Sequence, residues 1–218
     1  MQTGEAVTIV HGDEELLART RHLFATATEI ACAANSLGMW AVTHVADDLD
    51  ALARERRGQV RVRKVFRPGV LLDPVAARGV ARTREHHGAQ IRITTDELNE
   101  TILFDRRVAI LAGDVRAGRR SYSVVTQPET VQGVTSLFEA VWRAATDVDV
   151  YDARIAEIRL LAPRVLDLLG QGVKDEAAAR TLGLGVRTYR RRVAELMDAL
   201  GAESRFQAGV RARELGLV

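Results

Sequence analysis

Residues 186–200 constrain the fold more than any other stretch of the chain. Val186, Val193, Leu196, Met197 and Leu200 recur there at three- and four-residue intervals, while Arg187, Arg190, Arg191 and Ala194 take the opposite side of the same helical wheel. One side must be buried and the other cannot be. Such a helix needs helical neighbours, and residues 153–169, 175–182 and 205–215 carry the apolar spacing to provide them. Pro163 lies inside the first of these, where a proline can break a helix, and Gly170-Gln171-Gly172 ends it. Gly183-Leu184-Gly185, between the second and third, is the short glycine-containing turn that a helix-turn-helix requires.

Charge agrees with that division. The whole chain of 218 residues carries a net charge of only +2. Residues 1–150 hold 19 Lys and Arg against 20 Asp and Glu, whereas residues 151–218 hold 12 against 9. The positive excess is C-terminal and suits a polyanion such as the DNA backbone. A helix with aliphatic side chains on one face and arginines on the other can lie in the major groove, where a guanidinium fork donates two hydrogen bonds to guanine O6 and N7.

Four segments carry a resemblance beyond spacing: Leu166-Asp167-Leu168-Leu169-Gly170-Gln171-Gly172, Glu176-Ala177-Ala178-Ala179-Arg180-Thr181-Leu182-Gly183-Leu184, Arg187-Thr188-Tyr189-Arg190-Arg191-Arg192-Val193 and Ser204-Arg205-Phe206-Gln207-Ala208. Over about 55 positions they resemble the LuxR-type helix-turn-helix family of transcription regulators. The resemblance implies an all-α four-helix module that binds double-stranded DNA. In it Arg190 and Arg191 face base edges, and Lys174, Arg187, Thr188, Arg192 and Arg205 hold phosphates. Gly185 replaces the serine frequent before the recognition helix, Arg159-Leu160-Leu161-Ala162 replaces the usual Thr-Pro-Arg-Glu opening, and Ala194 stands where the family has a further basic residue.

The N-terminal part has a different rhythm. Helical periods cover residues 13–28, with Asp13 as cap, then 46–57, then a helix opened by Asp73-Pro74 and stopped by Gly88, and one opened by Pro128-Glu129. The last carries a stripe of Val134, Leu137, Phe138, Val141 and Trp142. Strands are expected at 29–35, 60–66, 90–94, 101–104, 108–112 and 122–126, with Asp105-Arg106-Arg107 as a tight hairpin. That order predicts an α/β domain with a mixed sheet over residues 1–150, followed by the helical domain at 151–218.

This order of elements is similar to that of phospholipase D-like domains over residues 7–145, some of which act as sensor domains in regulators. Enzymes of that family use a histidine nucleophile, a lysine two residues on and an aspartate five further. The matching stretch here is Leu98-Asn99-Glu100-Thr101-Ile102-Leu103-Phe104-Asp105. Leucine cannot attack phosphorus and a carboxylate repels a phosphodiester, so the resemblance implies a non-catalytic domain, with Asp105 left to cap the turn before Arg106. It also implies a cleft at the ends of the central strands, lined by Asn35, Ser36, Arg67, Thr95 and Glu100, with Trp40 and Trp142 as candidate walls and core filling the commoner fate of such rings.

The remaining features exclude more than they add. His11, His22, His44, His86 and His87 form no helical metal-binding pair with a glutamate, no glycine-rich phosphate cradle follows a strand, and Asp47-Asp48 is misplaced for a phosphorylatable receiver. Cys32 alone rules out an internal disulfide and is expected to be a small core residue. No run of about 18 uncharged apolar residues and no secretory leader is present, which places the chain in the cytoplasm. The expectation is a homodimer without metal or cofactor, and not an enzyme: a sensor and dimerisation domain open to a small-molecule effector, joined to a DNA reader. The alternatives are a phospholipase D-type nuclease delivered to DNA and a constitutive dimer without effector.

Overall fold

The computed structural model describes residues 6–34, 55–96, 99–116 and 118–218. Eight strands form one sheet in the order β1-β7-β6-β5-β2-β3-β4-β8. The strands are β1 (Val7–His11), β2 (Glu29–Ala34), β3 (Arg61–Phe66), β4 (Gln90–Ile93), β5 (Thr101–Phe104), β6 (Val108–Arg116), β7 (Arg119–Val125) and β8 (Thr146–Asp147). β2, β3 and β4 run parallel, and every other pairing is antiparallel. The sheet is therefore mixed, as the alternation of elements predicts. Helices α1 (Asp13–Thr26) and α2 (Pro74–His87) pack on one face of the sheet, and α3 (Pro128–Ala144) lies across the other.

The period of two along the strands explains the layers. Ala31, Ala33, Val65, Leu103, Ala109 and Val125 turn to one face and pack on Val131, Phe138 and Trp142 of α3. Ala34, Phe66, Ile91, Ile93, Ile102, Phe104 and Ile110 turn to the other face, with Leu16 of α1 and Val80 of α2. Leu137, expected in the apolar stripe of α3, is 63% exposed; Val131 and Thr135 take the buried positions, because the contact face is centred on Phe138 and Trp142. Trp142 is thus core, stacked on Phe138 with centroids 6.0 Å apart.

Several local devices match the sequence. The Asp73 carboxylate accepts hydrogen bonds from the amides of Val75 and Ala76, and Gly88 closes α2 in the left-handed region. Asp105 and Arg106 both adopt positive φ, the backbone of a tight hairpin between β5 and β6. Others differ. The cap before α1 is Gly12, and Asp13 instead accepts the Tyr122 hydroxyl at 2.6 Å, tying α1 to β7. β1 was not expected, since an edge strand with Ile9 62% exposed lacks a clean apolar alternation. The helix expected at 46–57 falls almost wholly on residues outside those described.

The four remaining helices are α4 (Val148–Gly170), α5 (Asp175–Thr181), α6 (Val186–Ala199) and α7 (Arg205–Glu214). α4 begins five residues before the sequence reading and runs through Pro163 without a break. The polar stretch near residue 150 forms its first turn, capped by Asp147, whose carboxylate accepts from the Asp149 amide at 2.9 Å. Residues of α4 link the two parts into one buried cluster, from Ile91 and Leu72 through Tyr151 and Ile155 to Val193 and Leu196.

The segment after β3 completes that junction. Pro68 packs on Gly201, and Gly69, at φ +96, lies so close to Leu215 that a Cβ would collide with its side chain. The Tyr151 hydroxyl donates to the Ala199 carbonyl at 3.1 Å and accepts from the Gly69 amide. Burial pushes the Tyr151 phenol up to about 12, which keeps it a neutral donor.

Candidate nucleic-acid interface

α5 and α6 are joined by a four-residue turn, Leu182 to Gly185, in which Gly183 takes positive φ and the Leu184 amide donates back to the Ala179 carbonyl. Ala178 and Ala179 of α5 are buried against α6, which explains why that helix is built from small residues. On α6, Tyr189, Val193, Leu196 and Ala199 are buried, and Leu200 just beyond it is buried with them. Burying each large member of that face contributes roughly 1.5–3 kcal/mol, enough to fix the helix rotation. Arg187, Arg190, Arg191 and Ala194 are then left exposed.

The arginines are not equivalent. Arg187 is exposed and makes no ion pair among the described residues. Arg191 is 64% exposed in its side chain and has only a loose 3.6 Å contact to Glu195. Arg190 is 60% exposed but donates through Nε to Asp175 Oδ2 at 2.8 Å. Asp175, the first residue of α5, also accepts two bonds from Arg205 of α7, at 2.9 and 3.2 Å. These guanidiniums, Arg205 first, hold the Asp175 carboxyl below the usual carboxylate range. One carboxylate thus joins three helices at the edge of the basic face.

Arg192 does not belong to that face. Its side chain is 15% exposed and pairs with Glu157 of α4 and with Glu195 at 2.7 Å. The cause is rotational: five residues at about 100° each place it roughly 140° around the axis from Arg187. Arg192, which the resemblance assigns to phosphate, here braces α4 to α6. Of the other residues implied by the resemblance, Lys174 is exposed at the start of α5, Thr188 is half-buried on α6 and Arg205 is exposed but engaged with Asp175.

The second candidate site is less open than its sequence suggests. Arg67 and Thr95 follow the carboxyl ends of the parallel strands β3 and β4, and Glu100 precedes β5 at the same end of the sheet. Thr95 is exposed and Arg67 half-buried; Asn35, Ser36, Trp40 and Leu98 lie outside the described residues. The Glu100 side chain is completely buried and forms an ion pair with Arg120 of β7. Cys32 is partly buried on β2; burial pushes its thiol up to about 11, against the pull of Lys64, and leaves it a poor nucleophile.

Asp105 has a clear structural role, although not the one expected. It accepts from the Thr28 amide, the Thr28 hydroxyl and the Glu29 amide, each at 2.8 Å, and so fixes the start of β2. Partial burial works to raise its carboxyl, yet these bonds, Glu29 first, hold it below the ordinary value. Sequence reasoning missed the Asp175 hub, whose partners lie 15 and 30 residues away and leave no local period.

No family model matches the chain. Nuc of Salmonella typhimurium, a phospholipase D family member, superposes with a TM-score of 0.50 at 13% identity, covering 65% of this chain and 96% of that one. TrmBL2, an archaeal chromatin protein whose structure shows a novel mode of DNA binding, gives a TM-score of 0.50 at 16% identity, covering 68% of this chain and 56% of that one. The chain therefore shares a fold with these structures, a mixed sheet with helices. In sequence, 140 residues, 60% of the chain, are 36% identical to the bialaphos biosynthetic pathway regulatory protein of Streptomyces hygroscopicus. They cover 52% of that protein, so the chain spans about half the length of the curated relative it matches. Among the described residues no helix is long and apolar enough to cross a membrane.

Proposed function

We propose that the chain is a DNA-binding transcription regulator of LuxR type, in which α6 enters the major groove and the sheet domain serves dimerisation and effector sensing without catalysis. The observation that carries this reading is the exposed trio Arg187, Arg190 and Arg191 on a helix whose opposite side is sealed by Tyr189, Val193 and Leu196. The similarity to a regulatory protein and the fold shared with a DNA-binding chromatin protein support it. The bases would be read by Arg190 and Arg191, with Arg187, Thr188 and Lys174 on the backbone.

A homodimer would place two such helices on half-sites about one helical turn apart. An effector at the strand ends would act through the segment that carries Arg67, Pro68 and Gly69 onto the end of α6, because that segment touches both. The fold favours a second reading, a nuclease of phospholipase D type. Against it stands the Glu100 carboxylate, buried and matched to Arg120 where that chemistry needs a cation for phosphate.

The deciding experiment is genome-wide mapping of the DNA bound by the tagged full chain, followed by titration of recovered duplexes at several salt concentrations. The expected result is a shared sequence bound with a steep salt dependence. Failure to retain any duplex at low salt would remove the regulator reading, and DNA cleavage lost on mutation of residues 98–105 would replace it with the nuclease.

A further inference from the structure

We infer that Asp175 is a specificity-determining positioning residue of the proposed DNA-binding face: it aims the Arg190 fork at base edges and withholds Arg205 from phosphates. The inference rests on the DNA-binding reading above and names a residue which that reading does not use.

The geometry is specific. Arg190 is held through Nε, 2.8 Å from Asp175 Oδ2. Its two outer nitrogens are left at the tip of a side chain that is 60% exposed, with Glu176 no nearer than 3.9 Å. A guanidinium fixed at Nε presents its outer pair end-on, the orientation in which an arginine can serve guanine O6 and N7 together. Without that anchor, the side chain would give up rotamer freedom only on binding. Asp175 therefore prepays part of the ordering that base recognition demands.

Arg205 is held more completely, with both outer nitrogens on the Asp175 oxygens at 2.9 and 3.2 Å. Those are the donors a phosphate would take. The carboxylate itself is 14% exposed, depressed in pKa by the two guanidiniums, and thus remains charged throughout the neutral range. Every duplex, whatever its sequence, meets a negative charge and one cation already engaged. Only a duplex that places guanine before Arg190 recovers the loss. The effect lowers random binding and favours matched binding, so it acts on the ratio between them.

Asp175→Asn tests this in the full chain, with Asp175→Glu as the conservative variant. The wild-type chain first selects duplexes from a random pool; the selected duplex and a scrambled one are then titrated against all three proteins over a range of salt. With Asn the ratio of the two affinities should fall about tenfold. The scrambled duplex should bind more tightly, with a salt slope steeper by about one as Arg205 joins the phosphates. Glu should return most of the ratio. A purely structural role would weaken both duplexes alike and lower the melting temperature in proportion. That result, or an unchanged ratio in a folded Asn variant, overturns the inference while leaving the DNA reading intact. A wild-type chain that selects no duplex overturns both.

Discussion

The two halves of the molecule use arginine in opposite ways. In the sheet domain the Arg63 side chain is 3% exposed, held by Glu139 at 2.6 and 3.0 Å and Glu29 at 2.8 Å, and lies over the rings of Phe138 and Trp142. Arg120 reaches the buried Glu100. In the helical part Arg187 and Arg191 stand in solvent with little to hold them. A desolvated guanidinium whose outer nitrogens are bound by carboxylates serves the fold; an exposed one still has donors to offer a partner. Arginine content therefore says little about function until each side chain is placed, and Arg192 illustrates the point inside a single motif.

The comparison is most easily broken at Arg120. Arg120→Leu removes the cation from a carboxylate that is completely buried, and the cost should be about 3 kcal/mol in denaturant unfolding. Adding Glu100→Leu should restore much of that loss, because the buried charge goes too. If the single variant is as stable as the wild type, the pair is not the internal balance described here. A smaller effect of opposite character is expected on α6. Arg190→Ala and Arg191→Ala should each cost about 1–3 kcal/mol of binding to the preferred duplex and relax its sequence, with folding stability almost unchanged. Arg192→Ala should do the reverse, lowering stability by about 1 kcal/mol through the lost brace to Glu157 while leaving sequence preference alone.

The last three helices were legible in the sequence to within a residue at each end, since their signals are local, whereas α4 starts five residues earlier than expected. The three- and four-residue spacing placed Val193, Leu196 and Leu200 on the buried face of α6, although it did not include Tyr189 and Ala199, and the glycine turn marked its entry. The sheet domain was legible in order but not in charge pairing. Nothing near Glu100 announces Arg120, and Asp105 meets Thr28 across 77 residues of chain. The start of α4 was harder to read for a related reason: Asp147 to Asp152 is rich in aspartate, as a linker would be, but those polar groups cap and face a helix whose Val148 and Tyr151 are buried. The pairing of distant residues is a property of topology, and a one-dimensional period carries no record of it.

The junction offers a sharper test of how the halves are joined. Tyr151→Phe removes one hydroxyl that bridges the Gly69 amide and the Ala199 carbonyl. Two buried backbone groups would then lose a partner, and a loss of about 1–2 kcal/mol is expected. Hydrogen exchange should localise the change to the end of α6 and the segment after β3; exchange altered uniformly across the sheet would argue against a local bridge.

The smallest expected effect concerns acid. The Asp175 and Asp105 carboxyls both titrate below their unfolded values, the first through Arg205 and Arg190, the second through backbone and hydroxyl donors that outweigh its partial burial. For a carboxylate depressed in the folded state, the unfolded chain binds protons first as pH falls. The stabilisation is therefore complete above the ordinary carboxylate range, starts to fade as pH falls into that range, and is lost once pH has dropped through the lowered folded values. Neutral pH should show a flat profile, with loss confined to the acid limb. Asp175→Asn should make that limb shallower for exchange of α5 and α7 amides, and Asp105→Asn should do so for β2. Equal shallowing at both places by either variant would mean that the two halves unfold as one unit, a result the shared core from Ile91 to Leu196 makes physically accessible and the separate charge arrangements alone do not.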